Sequence, residues 1–203
     1  GYGYGRYGRS TTRSQEQKDE SDNQNDKNIS NIKENLVTFH SPKAAISETY
    51  RSLRTSLQFS GVSKEVKSVI ITSGNPGEGK STTVANLAIA TAQMGKKTLL
   101  VDADLRKPVV HSLFGFDKSP GLMDAISEAG LNDRHLRSPD VENLYLLPCG
   151  LIPPNPSEVL GSVEMLSMHK ELSKKFDYIF YDTPPITAVT DAVVLSSIVD
   201  SLA

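Results

Sequence analysis

Tryptophan is absent, aromatic residues make up only 6% of the 203 residues, and there is a single cysteine, Cys149. One thiol excludes an intrachain disulfide framework and a cysteine-built zinc site, and it fits a reducing compartment. No run approaches the ~18 apolar residues that a membrane span requires. No apolar stretch follows Gly1-Tyr2-Gly3-Tyr4-Gly5-Arg6, so the N-terminus does not read as a secretory signal, and the sequence does not open on Met. An excess of charge is also missing: 22 Lys+Arg against 24 Asp+Glu leave a formal charge of −2. A dedicated nucleic-acid binder carries a basic face, so nucleic acid is not an expected partner.

Aliphatic side chains are nearly absent from residues 1–40. Gly1 to Ser10 is a Gly/Tyr/Arg tract holding Tyr2, Tyr4 and Tyr7, and Thr11 to about Asn35 is Ser, Gln, Asn, Asp, Glu and Lys. Such a segment buries too little apolar area to offset its ordering entropy and is expected to be a disordered tail. Residues 41–203 are expected to form one folded domain, long enough to bury a core.

Ser41-Pro42 opens a predicted helix from Lys43 to Phe59, on which Ile46, Tyr50, Leu53 and Leu57 fall on one stripe. Beyond it, short apolar runs alternate with helical stretches. The runs are Ser68–Thr72, Thr98–Val101, Leu144–Leu147 and Tyr178–Tyr181, and the helices Ser81–Met94, Leu122–Ala129, Val163–Lys175 and Asp191–Val199. The runs are continuous rather than alternating, as parallel strands covered on both faces require. The pattern predicts an α/β, doubly wound, mostly parallel sheet with helices on both faces.

Gly74-Asn75-Pro76-Gly77-Glu78-Gly79-Lys80-Ser81, followed by Thr82, matches G-x-x-x-x-G-K-[ST] between a predicted strand and a predicted helix. Glycines let the backbone wrap a polyphosphate with its N–H groups inward, and the helix N-terminus adds to the attraction. Lys80 is placed for the β- and γ-phosphates, and Ser81 for Mg²⁺. Asp102 and Asp104 end one strand run and Asp182 ends another. In open parallel sheets the site lies beyond the carboxyl ends of the strands, so all three converge on the loop. Asp182 is the expected metal-side acid, and Asp102 or Asp104 the acceptor of a proton from an attacking hydroxyl. Arg106 and Lys107 are placed to offset phosphate charge. His40, His111, His135 and His169 show no metal spacing, and Cys149 reads as a bystander.

Pro76–Thr82, Val101–Pro108 and Asp182-Thr183-Pro184-Pro185 resemble the Walker A, A′ and B motifs of the bacterial protein-tyrosine kinases of capsular and exopolysaccharide synthesis. These are P-loop NTPases related to the ParA/MinD ATPases. Glu48–Arg54 and Ile152–Leu160 agree with that family over about Ser41 to Ala203. The resemblance implies ATP and Mg²⁺ as cofactors, with Ser81, Asp102 and Asp182 at the metal. It implies Asp102, supported by Asp104 and Lys80, in transfer to a tyrosine cluster. It also implies a ring of like subunits joined through Glu48, Arg51 and Arg54, a transmembrane adaptor that activates the kinase, and a cognate tyrosine phosphatase. The place of action is then the cytoplasmic face of the membrane.

In that family the tyrosine cluster follows a further strand, helix and strand. The resemblance therefore implies C-terminal strands that this sequence lacks, and makes Tyr2, Tyr4 and Tyr7 the candidate acceptors. A linker of about 30 residues spans roughly 30 Å r.m.s., enough to reach a neighbouring subunit. The ParA/MinD relatives carry a signature lysine where Asn75 stands, which favours the kinase branch. A nucleotide-switched ATPase and a non-catalytic assembly fragment are the alternatives.

Overall fold

The computed structural model describes residues 34–59, 66–187 and 189–202. Tyr2, Tyr4 and Tyr7 and most of the expected tail lie outside the described residues.

Five parallel strands form the centre: β1 Ser68–Ile71, β2 Thr98–Asp102, β3 Leu144–Leu147, β4 Tyr178–Asp182 and β5 Ser201–Leu202, in the order β3-β2-β4-β1-β5. Four of them fall within a residue of the predicted runs. β5 is a correction: the sequence pattern predicts no strand after Val199, yet Ser201 and Leu202 pair with Val69 and Ile70 of β1. Asp200 secures this edge, because its carboxylate accepts from the Ser68 N–H at 2.9 Å and the Ser68 hydroxyl at 2.8 Å.

Parallel neighbours require crossovers, and these are mostly helical. In chain order the helices are α1 Val37–His40, α2 Ala45–Gln58, α3 Lys80–Ala92, α4 Val110–Phe114, α5 Leu122–Ser127, α6 Pro156–Leu160, α7 Val163–Lys175 and α8 Asp191–Leu195. α8 stops short of the predicted Val199. α1 and α4 are too short for any period to reveal. Strand side chains alternate between two cores. Leu99, Val101, Ile179 and Tyr181 join Leu122, Leu160, Met165 and Leu195 on one face. Leu100, Tyr178 and Phe180 join Val84, Leu87, Ile89 and Leu113 on the other. A doubly wound sheet with helices on both faces is therefore what the chain forms.

α3 is the most enclosed of the helices, with every residue from Val84 to Ala92 buried. Its Asn86 corrects the expected domain boundary. The buried Asn86 amide accepts from the Thr38 N–H at 2.9 Å, and its NH₂ donates to the Asn35 carbonyl at 2.9 Å and the Thr82 carbonyl at 3.0 Å. Leu36 and Thr38 are buried, so Asn35–His40 belongs to the folded unit rather than to the tail. Leu36 is the lone aliphatic anchor there, too little for composition to register.

The stripe on α2 is corrected in part: Leu57 packs against the sheet core and Tyr50 is half-buried, but the other two residues face out. Ile46 is 52% exposed and Leu53 39% exposed. The helix also seats its Ser47 and Arg54 edge. The Ser47 hydroxyl donates to the Ser41 carbonyl at 2.7 Å, and Arg54 Nη1 donates to the Ala90 carbonyl of α3 at 3.0 Å. Burial beside Arg51 holds the Arg54 guanidinium below its usual value.

Candidate active site

The loop between β1 and α3 is exposed from Gly74 to Gly79. Gly77 and Gly79 sit at φ +83° and +78°, the left-handed region where a side chain is strained. The loop rests on the segment after β4. The Ile186 N–H donates to the Ser73 carbonyl at 2.9 Å, and the Thr72 hydroxyl donates to the Pro184 carbonyl at 2.8 Å. Within the loop, Glu78 accepts from the Asn75 N–H and side-chain amide, both at 3.1 Å. Those two bonds hold its carboxyl below the usual range.

Behind the loop lies a cleft of about 440 Å³ lined by Gly77, Lys80, Ser81, Thr82, Asp104 and Arg106, among others. The Lys80 ammonium pairs with Asp182 Oδ1 and lies 3.2 Å from the Ser81 hydroxyl. Asp182 is fully buried at the end of β4, and its Oδ2 has no hydrogen-bond partner. Burial pushes its carboxyl up, and Lys80 and Ser81 oppose that push.

Parallel register sets Asp102 directly beside Asp182. Asp102 Oδ2 accepts from the Val110 N–H at 2.9 Å, which seats α4, while Oδ1 is buried without a partner. Burial and then the neighbouring Asp182 push its carboxyl up to about 8. Asp104 differs. It lines the cleft, and its Oδ1 accepts from the N–H groups of Arg106 at 3.2 Å and Lys107 at 2.9 Å. The two acids that sequence left interchangeable thus occupy different places: Asp104 on the wall, Asp102 beneath it.

The expected Arg106 is present on the wall, but its partners were not foreseen. Its Nε donates to Asp191 Oδ2 at 3.0 Å, and its Nη2 to Asp191 Oδ1 at 3.2 Å and to the Ser157 hydroxyl at 3.1 Å. In the sequence Asp191 is only the start of a helix, and Ser157 lies in a proline-rich stretch with no chemistry of its own. An acid written at the head of a helix is the one signal that marked the first.

Glu48, Arg51 and Arg54 lie apart on α2. Glu48 is exposed and pairs with Arg51 at 2.7 Å, and Arg51 also reaches the Pro42 carbonyl. Arg54 is committed to α3 within the chain. Cys149 is buried, and its thiol is pushed up to about 12, chiefly by that burial.

The donors around the cleft are oxygens of Ser81 and of the acids, two of them buried and unpaired. That suits Mg²⁺, which takes few protein ligands and shares the rest with phosphates and water. Among the described residues no three His, Cys, Asp or Glu side chains form a metal cage of their own. The glycine loop, the helix start at Lys80 and the cleft suit a nucleoside polyphosphate.

Comparison with known proteins agrees with this geometry. Residues 69–183 match the model of the CobQ/CobB/MinD/ParA nucleotide binding domain. Over 171 residues the chain is 43% identical to tyrosine-protein kinase YwqD of Bacillus subtilis, covering 84% of this chain and 72% of that protein. The crystal structure of the chimerical protein CapA2B2 superposes with a TM-score of 0.80 at 38% identity, over 83% of this chain and 74% of the other. The septum site-determining protein MinD complexed with Mg-ADP, from Pyrococcus horikoshii, superposes with a TM-score of 0.55 at 27% identity, over 67% and 56% of the two chains.

Proposed function

The chain belongs to the CobQ/CobB/MinD/ParA nucleotide-binding family and, within it, to the bacterial tyrosine-protein kinases, and on that premise we propose that it moves the terminal phosphoryl group of ATP onto tyrosine hydroxyls. The observation that carries this reading is the convergence of Lys80, Ser81 and Asp104 on one glycine-rimmed cleft, with the buried Asp182 paired to the Lys80 ammonium.

The backbone of Gly74 to Thr82 and the Lys80 ammonium hold the phosphates. Ser81 and Asp182, with Asp102 beside them, would hold Mg²⁺, which would supply charge neutralisation. The tyrosine oxygen forms its bond to the γ-phosphorus as the bond to the β-bridging oxygen breaks and ADP departs. The phenolic proton passes to Asp104 on the wall or, once the Asp102 carboxyl is ionised, to Asp102 beneath it. Positioning and fixed charge account for most of the rate.

Tyr2, Tyr4 and Tyr7 are the acceptors under this reading, carried by a tail ahead of the catalytic domain. Each phosphate brings about −1.5 to −2 charge. Added beside Arg6 and Arg9, that charge opposes an acidic neighbour and loosens a ring of like subunits meeting at Glu48 and Arg51. Among the described residues no helix is long and apolar enough to cross a membrane. A transmembrane adaptor of polysaccharide export and a cognate tyrosine phosphatase complete the proposed setting, with capsule or exopolysaccharide synthesis as the process regulated.

Intact-mass spectrometry after incubation with ATP and Mg²⁺ tests the reading. Mass increments of one phosphate, mapped to tyrosine and lost in Lys80→Met, are expected. Release of inorganic phosphate with no protein-bound label would instead assign the chain to the ATPase behaviour of its MinD-like relatives.

A further inference from the structure

Arg106 is held more tightly than a wet rim cation needs to be. Its side chain is 39% exposed, while the Asp191 carboxylate that grips it is fully buried. Three separate segments meet there. Arg106 follows β2 and Asp104, Ser157 lies in α6, and Asp191 begins α8. The Ser157 hydroxyl also donates to Asp191 Oδ1, so the acid is bonded by both partners. A buried carboxylate is costly unless paired and hydrogen-bonded. Here the guanidinium fork supplies two of its bonds in the planar geometry that suits arginine and not lysine. Asp191 in turn holds Arg106 above its usual value.

The grip uses one edge of the guanidinium. Nε and Nη2 are occupied, and Nη1 makes no hydrogen bond among the described residues. Arg106 lines the cleft that also holds Lys80 and Ser81, beside Asp104 on the same short turn. A planar cation clamped through Nε and Nη2, with Nη1 unpaired among the described residues at a phosphate cleft, is arranged to meet a second oxyanion.

We infer that Arg106 binds the terminal phosphoryl group of the nucleoside triphosphate in the cleft, and that Asp191 and Ser157 are the residues that position it. This rests on the nucleotide reading of the cleft and adds to it a group that tells triphosphate from diphosphate. The proline-rich stretch around Ser157 thereby gains a role, since it carries the hydroxyl that locks the clamp.

The test compares binding of a non-hydrolysable ATP analogue and of ADP, each with Mg²⁺, for the wild type, Arg106→Lys, Arg106→Gln, Asp191→Asn and Ser157→Ala. Phosphotyrosine formation is measured in parallel. In Arg106→Gln the analogue is expected to weaken about tenfold and ADP less than about threefold, with kcat falling roughly ten- to a hundredfold. Arg106→Lys keeps the charge but loses the fork, and Asp191→Asn loosens it. Both should show the same triphosphate-selective loss, and Ser157→Ala a smaller one of about two- to fivefold. The Arg106→Gln, Asp191→Asn double variant should be no worse than Arg106→Gln alone, because the two act as one unit.

A merely structural role predicts equal loss of both nucleotides and a lowered Tm. That result overturns the proposal, as does Arg106→Lys with full kcat and an unchanged analogue-to-ADP ratio. Should Asp191→Asn fail to fold, Ser157→Ala and Arg106→Lys decide the matter. A wild type that shows the expected ratio and loses it in Arg106→Gln, yet labels no tyrosine, sinks the kinase reading and leaves this inference standing. A wild type that binds neither nucleotide sinks both.

Discussion

Asp102 and Asp182 are register partners at the ends of adjacent parallel strands, and each keeps one carboxylate oxygen buried without a hydrogen-bond partner. Burial raises both carboxyls, and the neighbouring Asp182 raises that of Asp102 further. The fold tolerates this because Lys80 pairs with Asp182 and the Val110 N–H with Asp102.

Asp102→Asn should therefore stabilise the nucleotide-free protein while abolishing transfer. The folded carboxyl keeps its proton up to about pH 8, whereas the unfolded one releases it near pH ~3.9. Stability from this group is thus greatest at acid pH and falls as pH rises from about 4 to about 8. Asparagine keeps an acceptor for the Val110 N–H and carries no charge. Thermal melts in a chelator should show a Tm gain of roughly 4–8 °C at about pH 8, corresponding to about 2 kcal/mol, and little gain at about pH 4.5.

Lys80→Met should do the opposite. It strands Asp182 in a site where breaking a buried pair costs about 3–5 kcal/mol. The loss should be smaller at acid pH than at neutral pH, because burial favours the protonated form of the orphaned acid. Adding Asp182→Asn should recover most of the Tm without recovering transfer, and equal losses at both pH values would contradict the pairing.

Four strands and the phosphate loop were legible in the sequence for two physical reasons. A parallel strand buried on both faces is an uninterrupted apolar run, and a phosphate loop needs glycine at fixed spacing. What stayed hidden depends on contacts distant in sequence. Thr38 is buried because Asn86 lies beneath it. On α2, Tyr50 and Leu57 keep to the inner side while Ile46 and Leu53 face out, and Arg54 takes an inner place by donating to a carbonyl on α3. Hydrophobic periodicity reports where apolar residues fall, and it is silent on which edge a neighbouring helix offers a bond. The resemblance puts Asp102 ahead of Asp104, but their different surroundings were hidden for the same reason: the first accepts from the Val110 N–H of α4, the second from the turn at Arg106 and Lys107.

Asn86→Ala removes a side chain that makes three bonds to backbone and leaves the buried Thr38 N–H without its acceptor. A cost of about 2–3 kcal/mol is expected, with faster proteolysis confined to Asn35–His40. Uniform susceptibility across the chain would show that the clasp is not local.

Gly79→Ala should separate folding from binding. A Cβ there meets no atom within 4 Å, but φ is +78°, so the expense is backbone strain of roughly 1–2 kcal/mol. The fold should survive with a small drop in Tm. Nucleotide affinity should fall at least about tenfold by calorimetry, since the loop relaxes from the conformation in which its amides converge.

The helix that begins at Lys80 is walled in from Val84 to Ala92, while the six residues before it stand in solvent. Amide hydrogens along that helix should be among the last in the molecule to exchange with deuterium, and those of the loop among the first. Mutational drift can accordingly retune nucleotide preference at Gly74–Gly79 with little risk to the scaffold, whereas any enlargement of the alanines behind it must be answered by the sheet on one side and by α2 on the other.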